Sequence, residues 1–365
     1  MKKFLKITLI VIAVLVLLII ALPFLFKGKI VKLVKSEANK QLTATVDFDN
    51  DIGLSLIKNF PNFTITIKKL SIADSTDIDK DTLVSVQKMS ATLDIMSVIK
   101  GDKIEIKSIL LDNPRIYAKV DENGKANWDI MKEDTTAAET PGDTASNFKM
   151  GLEKFKITDG RVVYDDREGK IYAELTGLNH ELSGDFTQDL FTMETSTDAQ
   201  EVTVGMEGLN YLNKVKTNLK ADIEADMKQF KFTFKDNELQ LNELFAGFDG
   251  WVAMPEEDIN MDLKFAARKT DFKNILSLVP AVYTKDFASV KTSGKLGLNG
   301  TVKGTYNEKT IPGFNINLLV EDGMFQYPGM PSDMRSIFVD LNVANPDGVI
   351  DNTVINLKRL DFIMT

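Results

Sequence analysis

The chain has 365 residues and 44% hydrophobic content, enough to bury a large core or more than one, which excludes a disordered chain. A net charge of −9, with no Lys/Arg cluster beyond the N-terminal region, excludes a nucleic-acid partner. No cysteine is present and His180 is the single histidine, which removes disulfides, thiolate metal sites, cysteine nucleophiles and lipoprotein acylation.

Residues 7–26, ITLIVIAVLVLLIIALPFLF, carry no charge and have the length that crosses a bilayer as a helix. A cleavable signal peptide has a shorter apolar stretch followed by a small-x-small site, whereas Leu25, Phe26 and Lys27 stand here, so residues 1–26 are read as an uncleaved anchor. Lys2, Lys3 and Lys6 before the span nearly balance Lys27, Lys29, Lys32 and Lys35 after it; the N-terminus is placed inside because the β-rich body resembles an exported domain. Over residues 27–42, Ile30, Val31, Leu33, Val34, Ala38 and Leu42 recur at helical spacing opposite lysines, which predicts a juxtamembrane amphipathic helix. Two roles stay open for it, a lid held on anionic headgroups or an extension of the anchor that packs on the first strands.

From there the apolar residues alternate with polar ones, the period of strands with one greasy and one wet side. A first β block, residues 43–132, contains Phe63, Ile65 and Ile67, then Leu83, Val84 and Val86, then Ala91, Leu93 and Ile95, then Ile104 and Ile106, then Ile116, Ala118 and Val120. Turn signals at Pro61-Asn62, Gly101-Asp102, Asn113-Pro114 and Asn123-Gly124 punctuate it. Residues 133–147, EDTTAAETPGDTASN, read as a flexible linker. The second β block, residues 148–365, shows the cleanest alternation: Leu219, Ala221, Ile223, Ala225 and Met227 interleave with charged residues and resume as Phe230, Phe232 and Phe234. A helical insertion is expected near residues 271–287, where Asp271 is a candidate N-cap before Phe272, Ile275, Leu276 and Val279. FKITDGRVVYDD at 155–166 and NLLVEDGMFQYP at 317–328 each read as strand, acid-Gly turn and second strand, a repeated hairpin unit. The last residues, 357–365, read as a strand left with an unpaired edge, as in a shortened form of something longer.

Groups that carry out chemistry are sparse. His180, in GLNHELSG, is read as a satisfied turn histidine without triad or metal partners. The glycines of GKLGLNG at 294–300 have the wrong spacing for a nucleotide loop and mark bends in a strand. Asp74, Asp77, Asp79 and Asp81 imitate the start of a calcium loop, but Thr82 and Lys88 stand where its glycine and bidentate glutamate belong. Asp165-Asp166 and Glu256-Glu257 are paired acids in turns. No enzyme activity, cofactor or metal is expected.

The alternation permits a β-sandwich whose inner faces cover each other, or a long curved sheet whose inner face stays open as a trough for acyl chains. Pattern alone leaves both open. Residues 109–131, ILLDNPRIYAKVDENGKANWDIM, resemble the hallmark of the AsmA family: a strand, an Asn-Pro, a second strand, an Asn-Gly turn and an Asn-Trp pair. The segments 155–186, 271–287 and 320–334 are similar to AsmA-like proteins of Bacteroidetes, so the resemblance covers the whole chain. What it implies is an inner-membrane anchor with the body in the periplasm, kinship with TamB and the bridge-like lipid transfer proteins, and a mainly β fold. That fold is an N-terminal transmembrane helix followed by a long curved antiparallel sheet forming a taco-like groove, with few helices. Its implied partners are membrane phospholipids, the inner membrane through residues 7–26, and outer-membrane assembly proteins, in support of outer-membrane biogenesis. The expected groove lining is Ile65, Ile67, Leu93, Ile95, Ile223, Phe232, Phe234, Met261, Leu263 and Phe265. The alternative function is an assembly factor without lipid cargo, regulating outer-membrane protein insertion or targeting to the membrane.

Overall fold

The computed structural model describes residues 28–364 apart from 29–30, 33–34, 37–38, 41, 57–60, 74–81, 101–103, 133–147, 150–151, 256–257, 272–289, 308–309 and 328–330. The expected span at 7–26, the Asp74–Asp81 acids, the linker and nearly all of the helical insertion lie outside the described residues. Among those described, no helix is long and apolar enough to cross a membrane. The protein is mainly β with few helices, and it divides into two compact units, Met1–Val162 and Val163–Thr365.

In the first unit the strands are β1 (Thr45–Asp47), β2 (Gly53–Ser55), β3 (Phe63–Ala73), β4 (Thr82–Leu93), β5 (Ile104–Val120), β6 (Phe148–Lys149) and the first part of β7 (Lys154–Asp166). β3 pairs antiparallel with β1 and β2 and also with β4, which in turn pairs with β5. The sheet is mixed rather than purely antiparallel, because β6 runs parallel to β5 with Ile104 opposite Phe148. Ile95, expected in a strand, instead opens a short helix, α1 (Ile95–Lys100). Asp94 Oδ1 accepts the Ser97 amide at 2.7 Å, an N-cap that ends the strand and starts the helix.

The described positions within 28–40 are helical. They pack on the first strands through Val31, which clusters with Phe48 and Ile52. Lys35 holds Asp47 at 2.7 Å, and the Asn39 side chain accepts the Val46 amide at 2.8 Å while donating to the Val46 carbonyl at 3.0 Å. Asn39 thus pairs with the backbone of β1 as a neighbouring strand does. Lys132 donates to the Asn39 and Lys40 carbonyls at the end of the helix, where a cation is favoured.

The second unit contains β8 (Ile171–Gly184), β9 (Leu190–Met206), β10 (Leu209–Asp226), β11 (Lys231–Leu241), β12 (Leu244–Ala253), β13 (Ile259–Asp271), β14 (Lys291–Tyr306), β15 (Gly313–Gln326), β16 (Met334–Asn345) and β17 (Val354–Met364). From β9 onward each pairs antiparallel with the strand before it in the chain, a continuous meander. The segment 155–166 lies within a single strand, β7, and the expected Asp322-Gly323 turn lies inside β15. His180 also lies mid-strand in β8 rather than in a turn. The Asn123-Gly124 turn forms, with Gly124 at φ 78°, and Asp121 Oδ1 accepts the Asn123 and Lys125 amides. Those backbone donors hold the Asp121 carboxyl below its ordinary pKa.

Candidate functional site

Residues directly opposite in an antiparallel pair share a face, with side chains close enough to touch. Following the pairings across the second unit, Ile223 stands opposite Phe234, Phe234 opposite Gly250, Gly250 opposite Leu263, Leu263 opposite Val302 and Val302 opposite Phe314. A second row runs Ala225, Phe232, Val252, Met261, and a third runs Phe248, Phe265, Gly300, Ile316, Val343, Ile355. A fourth crosses most of the unit: His180, Thr197, Leu219, Leu239, Ala246, Ala267, Leu298, Leu318, Leu341, Leu357. The structure therefore brings Ile223, Phe232, Phe234, Met261, Leu263 and Phe265 onto one apolar face.

All six are partly exposed, and among the described residues the close neighbours of β9–β17 are the strands next to them in the chain. A facing sheet would drive such side chains to near-complete burial. Local packing is tight nonetheless. The Phe234 and Phe248 rings lie 5.5 Å apart in a tilted pair. A Cβ on Gly300 would come within 2.6 Å of Phe265 Cζ, so that glycine leaves room for the ring. Buried Asn237 fills a bulge in β11, accepting the Asp222 amide at 3.0 Å and donating to the Phe248 carbonyl at 3.3 Å.

The opposite face is polar. Lys235–Glu224 at 3.4 Å and Lys303–Asp262 at 2.8 Å are surface ion pairs, with Asp262 the one partly buried partner, each contributing about 0–1 kcal/mol. A row of asparagines, Asn299, Asn317, Asn342 and Asn356, crosses β14–β17, with Asn317 donating to Asn299 at 3.1 Å and Asn342 to Asn317 at 2.9 Å.

The first unit has the same two-sided character, with rows Phe63–Leu93–Ile106, Ile65–Ala91–Ile109 and Ile67–Met89–Leu111. Here the four expected lining residues are packed into clusters. Ile65 and Ile67 rest on Val31, Phe48 and Ile52, while Leu93, 8% exposed, joins Leu56 and Phe63 with Ile65 and Ile95 against them.

A feature the alternation concealed crosses these strands. Lys69, Asn113 and Asp159 have φ of 51°, 53° and 51°, the left-handed region, in mid-strand. Lys68 and Leu70 face Lys88 and Val86, which in turn face Asp112 and Pro114, so Lys69 and Asn113 flank Gln87 from either side. Asn113 donates to Asp159 Oδ2 at 2.6 Å, extending the line to β7. In the second unit Gly294, Asp322 and Ser336 form a comparable line on β14–β16, and a Cβ on Gly294 would strike the Gly323 Cα at 2.6 Å. Such a residue bends the strand and shifts its pleat by one position. The apolar residues accordingly step by three instead of two, as from Ile67 to Leu70, Val86 to Met89, Leu111 to Pro114 and Val320 to Gly323. That three-step was the sequence signal of the line.

His180 is half-buried, its Nδ1 is 2.9 Å from Thr197 Oγ1, and burial pushes the imidazole below its ordinary pKa. Among the described residues no group of three His, Cys, Asp or Glu is placed to hold a metal.

The fold and this surface define a protein that presents a long, partly uncovered apolar sheet face backed by a polar one. Residues 1–248 match the AsmA family, and the chain belongs to it. No curated protein and no solved structure matches the chain.

Proposed function

We propose that the apolar face of β8–β17 holds and conducts phospholipid acyl chains. Residues 7–26 anchor the protein in the inner membrane, and the body stands in the periplasm in support of outer-membrane biogenesis. The observation that carries this is the set of aligned rows through Ile223, Phe234, Leu263 and Phe265, whose large side chains remain partly exposed on a face that, among the described residues, no other strand covers. Membership of the AsmA family supports it. A sixteen-carbon tail crossing water exposes methylenes at ~0.8 kcal/mol each, ~12 kcal/mol in all, and an apolar face removes most of that barrier. Transfer is passive. Tails slide over apolar side chains, Met261 among them adapting to varied tails, while headgroups stay hydrated.

The test is Phe232→Asp with Leu263→Asp, which sets two carboxylates into neighbouring rows. Mass spectrometry of the purified protein should show co-purifying phospholipid in the wild type and its loss in this variant. Thr233→Asp with Lys264→Asp, on the polar face, should keep the lipid. Lipid-free wild-type protein, or a double-Asp variant as loaded as the wild type, would falsify the reading. A lipid-free assembly factor predicts instead that the inward charges leave binding to barrel clients unchanged.

A further inference from the structure

The apolar rows of the second unit continue past the strand ends along one margin. Ala225 stands opposite Phe232 and Asp226 opposite Lys231, and the next step outward sets Met227 and Phe230 at the tip of the β10–β11 hairpin. Lys231 pairs with Ala253, so Phe230 comes beside Met254, whose amide donates to the Phe230 carbonyl at 2.9 Å. Ala253 pairs with Asn260, so Met254 comes beside Ile259, and Ile259 stands opposite Tyr306 of β14. Register places this row on the apolar face, two positions outward of Ala225, Phe232, Val252 and Met261. Ala225 is fully buried, whereas Met227, Phe230, Met254 and Tyr306 are 39%, 50%, 39% and 50% exposed. The apolar face thus spills over this margin as a lip.

Phe230 is strained in this position. Its φ is 46°, and a bulky side chain in the left-handed region is an outlier of the kind that gathers at functional surfaces. Turns at the opposite margin put Lys170, Glu207 and Asn242 in that conformation, polar side chains at home in water. The β10–β11 turn is already closed by its own acid, since Asp226 Oδ1 accepts the Lys228 and Gln229 amides at 3.0 and 3.1 Å. The turn itself therefore gives no reason for an aromatic ring, half exposed, at its tip.

The chemistry of the lip favours a lipid surface over a peptide. The Met227 amide donates to the Asp189 carbonyl at 2.7 Å and the Met254 amide to Phe230, so these donors are not free to template an added strand. Phe, Met and Tyr at loop tips, with Lys228 and Lys231 beside them, suit the boundary between headgroups and acyl chains. The lip is also continuous with the face proposed to hold those chains. Asp189 is held by Lys228 at 2.9 Å and Asp258 by the Asn307 side chain at 2.9 Å, but acids outnumber lysines in these turns, which favours a zwitterionic surface over an anionic one. From these observations we infer that Met227, Phe230, Met254, Ile259 and Tyr306 form a lip that dips into a zwitterionic bilayer surface, the port by which acyl chains pass between that bilayer and the apolar face. The port's cargo rests on the lipid reading, while the bilayer contact is measured without it.

The chain has no cysteine, so a probe can be placed at one position at a time. Full-length Met254→Cys and Tyr306→Cys, each labelled with the environment-sensitive fluorophore NBD, are held in phosphatidylcholine nanodiscs and mixed with phosphatidylcholine vesicles, with nitroxide-labelled lipid in both. Emission at both positions should shift to the blue and be quenched, while a probe at Lys264→Cys, on the polar face, stays water-like. Phosphatidylglycerol vesicles should quench less than phosphatidylcholine ones. Phe230→Asn, which suits a left-handed backbone, should raise the urea midpoint, weaken quenching at Met254→Cys, and slow exchange of bound phospholipid with vesicles tenfold or more while leaving the amount bound unchanged. A ring with a merely structural role would lower the midpoint instead. Water-like probes at both lip positions, quenching no greater than at Lys264→Cys, stronger quenching by phosphatidylglycerol, a lowered midpoint in Phe230→Asn, or undiminished exchange overturns the inference. A phospholipid-loaded protein with an unquenched lip would sink the lip alone, whereas a lipid-free protein with a quenched lip would sink the lipid reading and leave the bilayer contact standing.

Discussion

His180 shows how a strand environment tunes one side chain. It stands in a row of mostly apolar residues, with Thr197 as a hydrogen-bond partner, and burial disfavours its charged form. Its folded pKa lies below the unfolded value of about 6.5, so between the two the unfolded chain binds more protons. The stabilisation is full above that unfolded value and drains away as pH falls through the folded one. The urea midpoint of the wild type should therefore drop between about pH 7.5 and pH 5.5. His180→Gln, which keeps a polar partner for Thr197 and does not titrate, should flatten that part of the profile. An unchanged slope in the variant would assign the pH dependence to other groups. GLNHELSG places Gly177 and Gly184 around the histidine and so looks like a turn, but the strand keeps one register with β9 from Ile171 to Gly184, skipping pairs only at Gly177, which has φ 59°, and Leu178.

At the scale of elements, the period-two alternation was legible and located nearly every long strand, including Phe232, Phe234 and their neighbours. What misled was the three-step. Asn113-Pro114 and Asp159-Gly160 have the composition of turns, yet they sit mid-strand because Asn and Asp tolerate left-handed φ at low cost and the neighbouring strands bend at the same line. Ile95 kept the alternation of β4 in sequence, and only the Asp94 cap to the Ser97 amide diverts it into α1. The second β block was expected to open at residue 148, but the parallel pairing of Phe148 and Lys149 with β5 was not legible, because two residues are too few to show any period. If the bend at β5 depends on Asn113, Asn113→Val should destabilise the protein by about 1–3 kcal/mol, from left-handed strain on a β-branched residue and loss of the Asp159 bond. Asn113→Gly keeps the backbone geometry and should cost about 1 kcal/mol. Denaturant titration read by circular dichroism gives both values, and an equal cost for the two would remove the conformational explanation.

For the molecule as a whole, the family was legible because its hallmark residues have local structural duties. Asn127 accepts the Lys119 amide at 2.9 Å and donates to the Tyr117 carbonyl at 2.8 Å, closing the end of β5, while Asp121 ties the preceding turn. The candidate face was only partly legible. Periodicity says which residues share a side of one strand, but pairing register decides which strands align, so Ile65 and Leu93 could not be told apart from Phe234 and Leu263. In the first unit they meet Val31, from the helix for which packing on the first strands was one of two expected roles, and Phe48 and Leu56, which no periodic pattern placed over them. The proposed orientation has a direct check, helped by the absence of cysteine. A single Asn123→Cys, exposed in its turn, should react with a membrane-impermeant maleimide in intact spheroplasts. Labelling only after lysis would put the body on the cytoplasmic side.

The step-by-step pairing from β8 to β17 bears on how such a chain folds and changes length. When each strand touches those beside it in sequence, loop closure is cheap and assembly can spread from any hairpin along the array, much as in solenoids. Up-and-down parity also makes the ribbon editable in twos. Excising β12 with β13 would join Leu241 to Lys291 at the same margin and shorten the ribbon by ~9.6 Å, two strand spacings. Gains or losses of hairpins are thus an economical way for evolution to fit one design to gaps of different width.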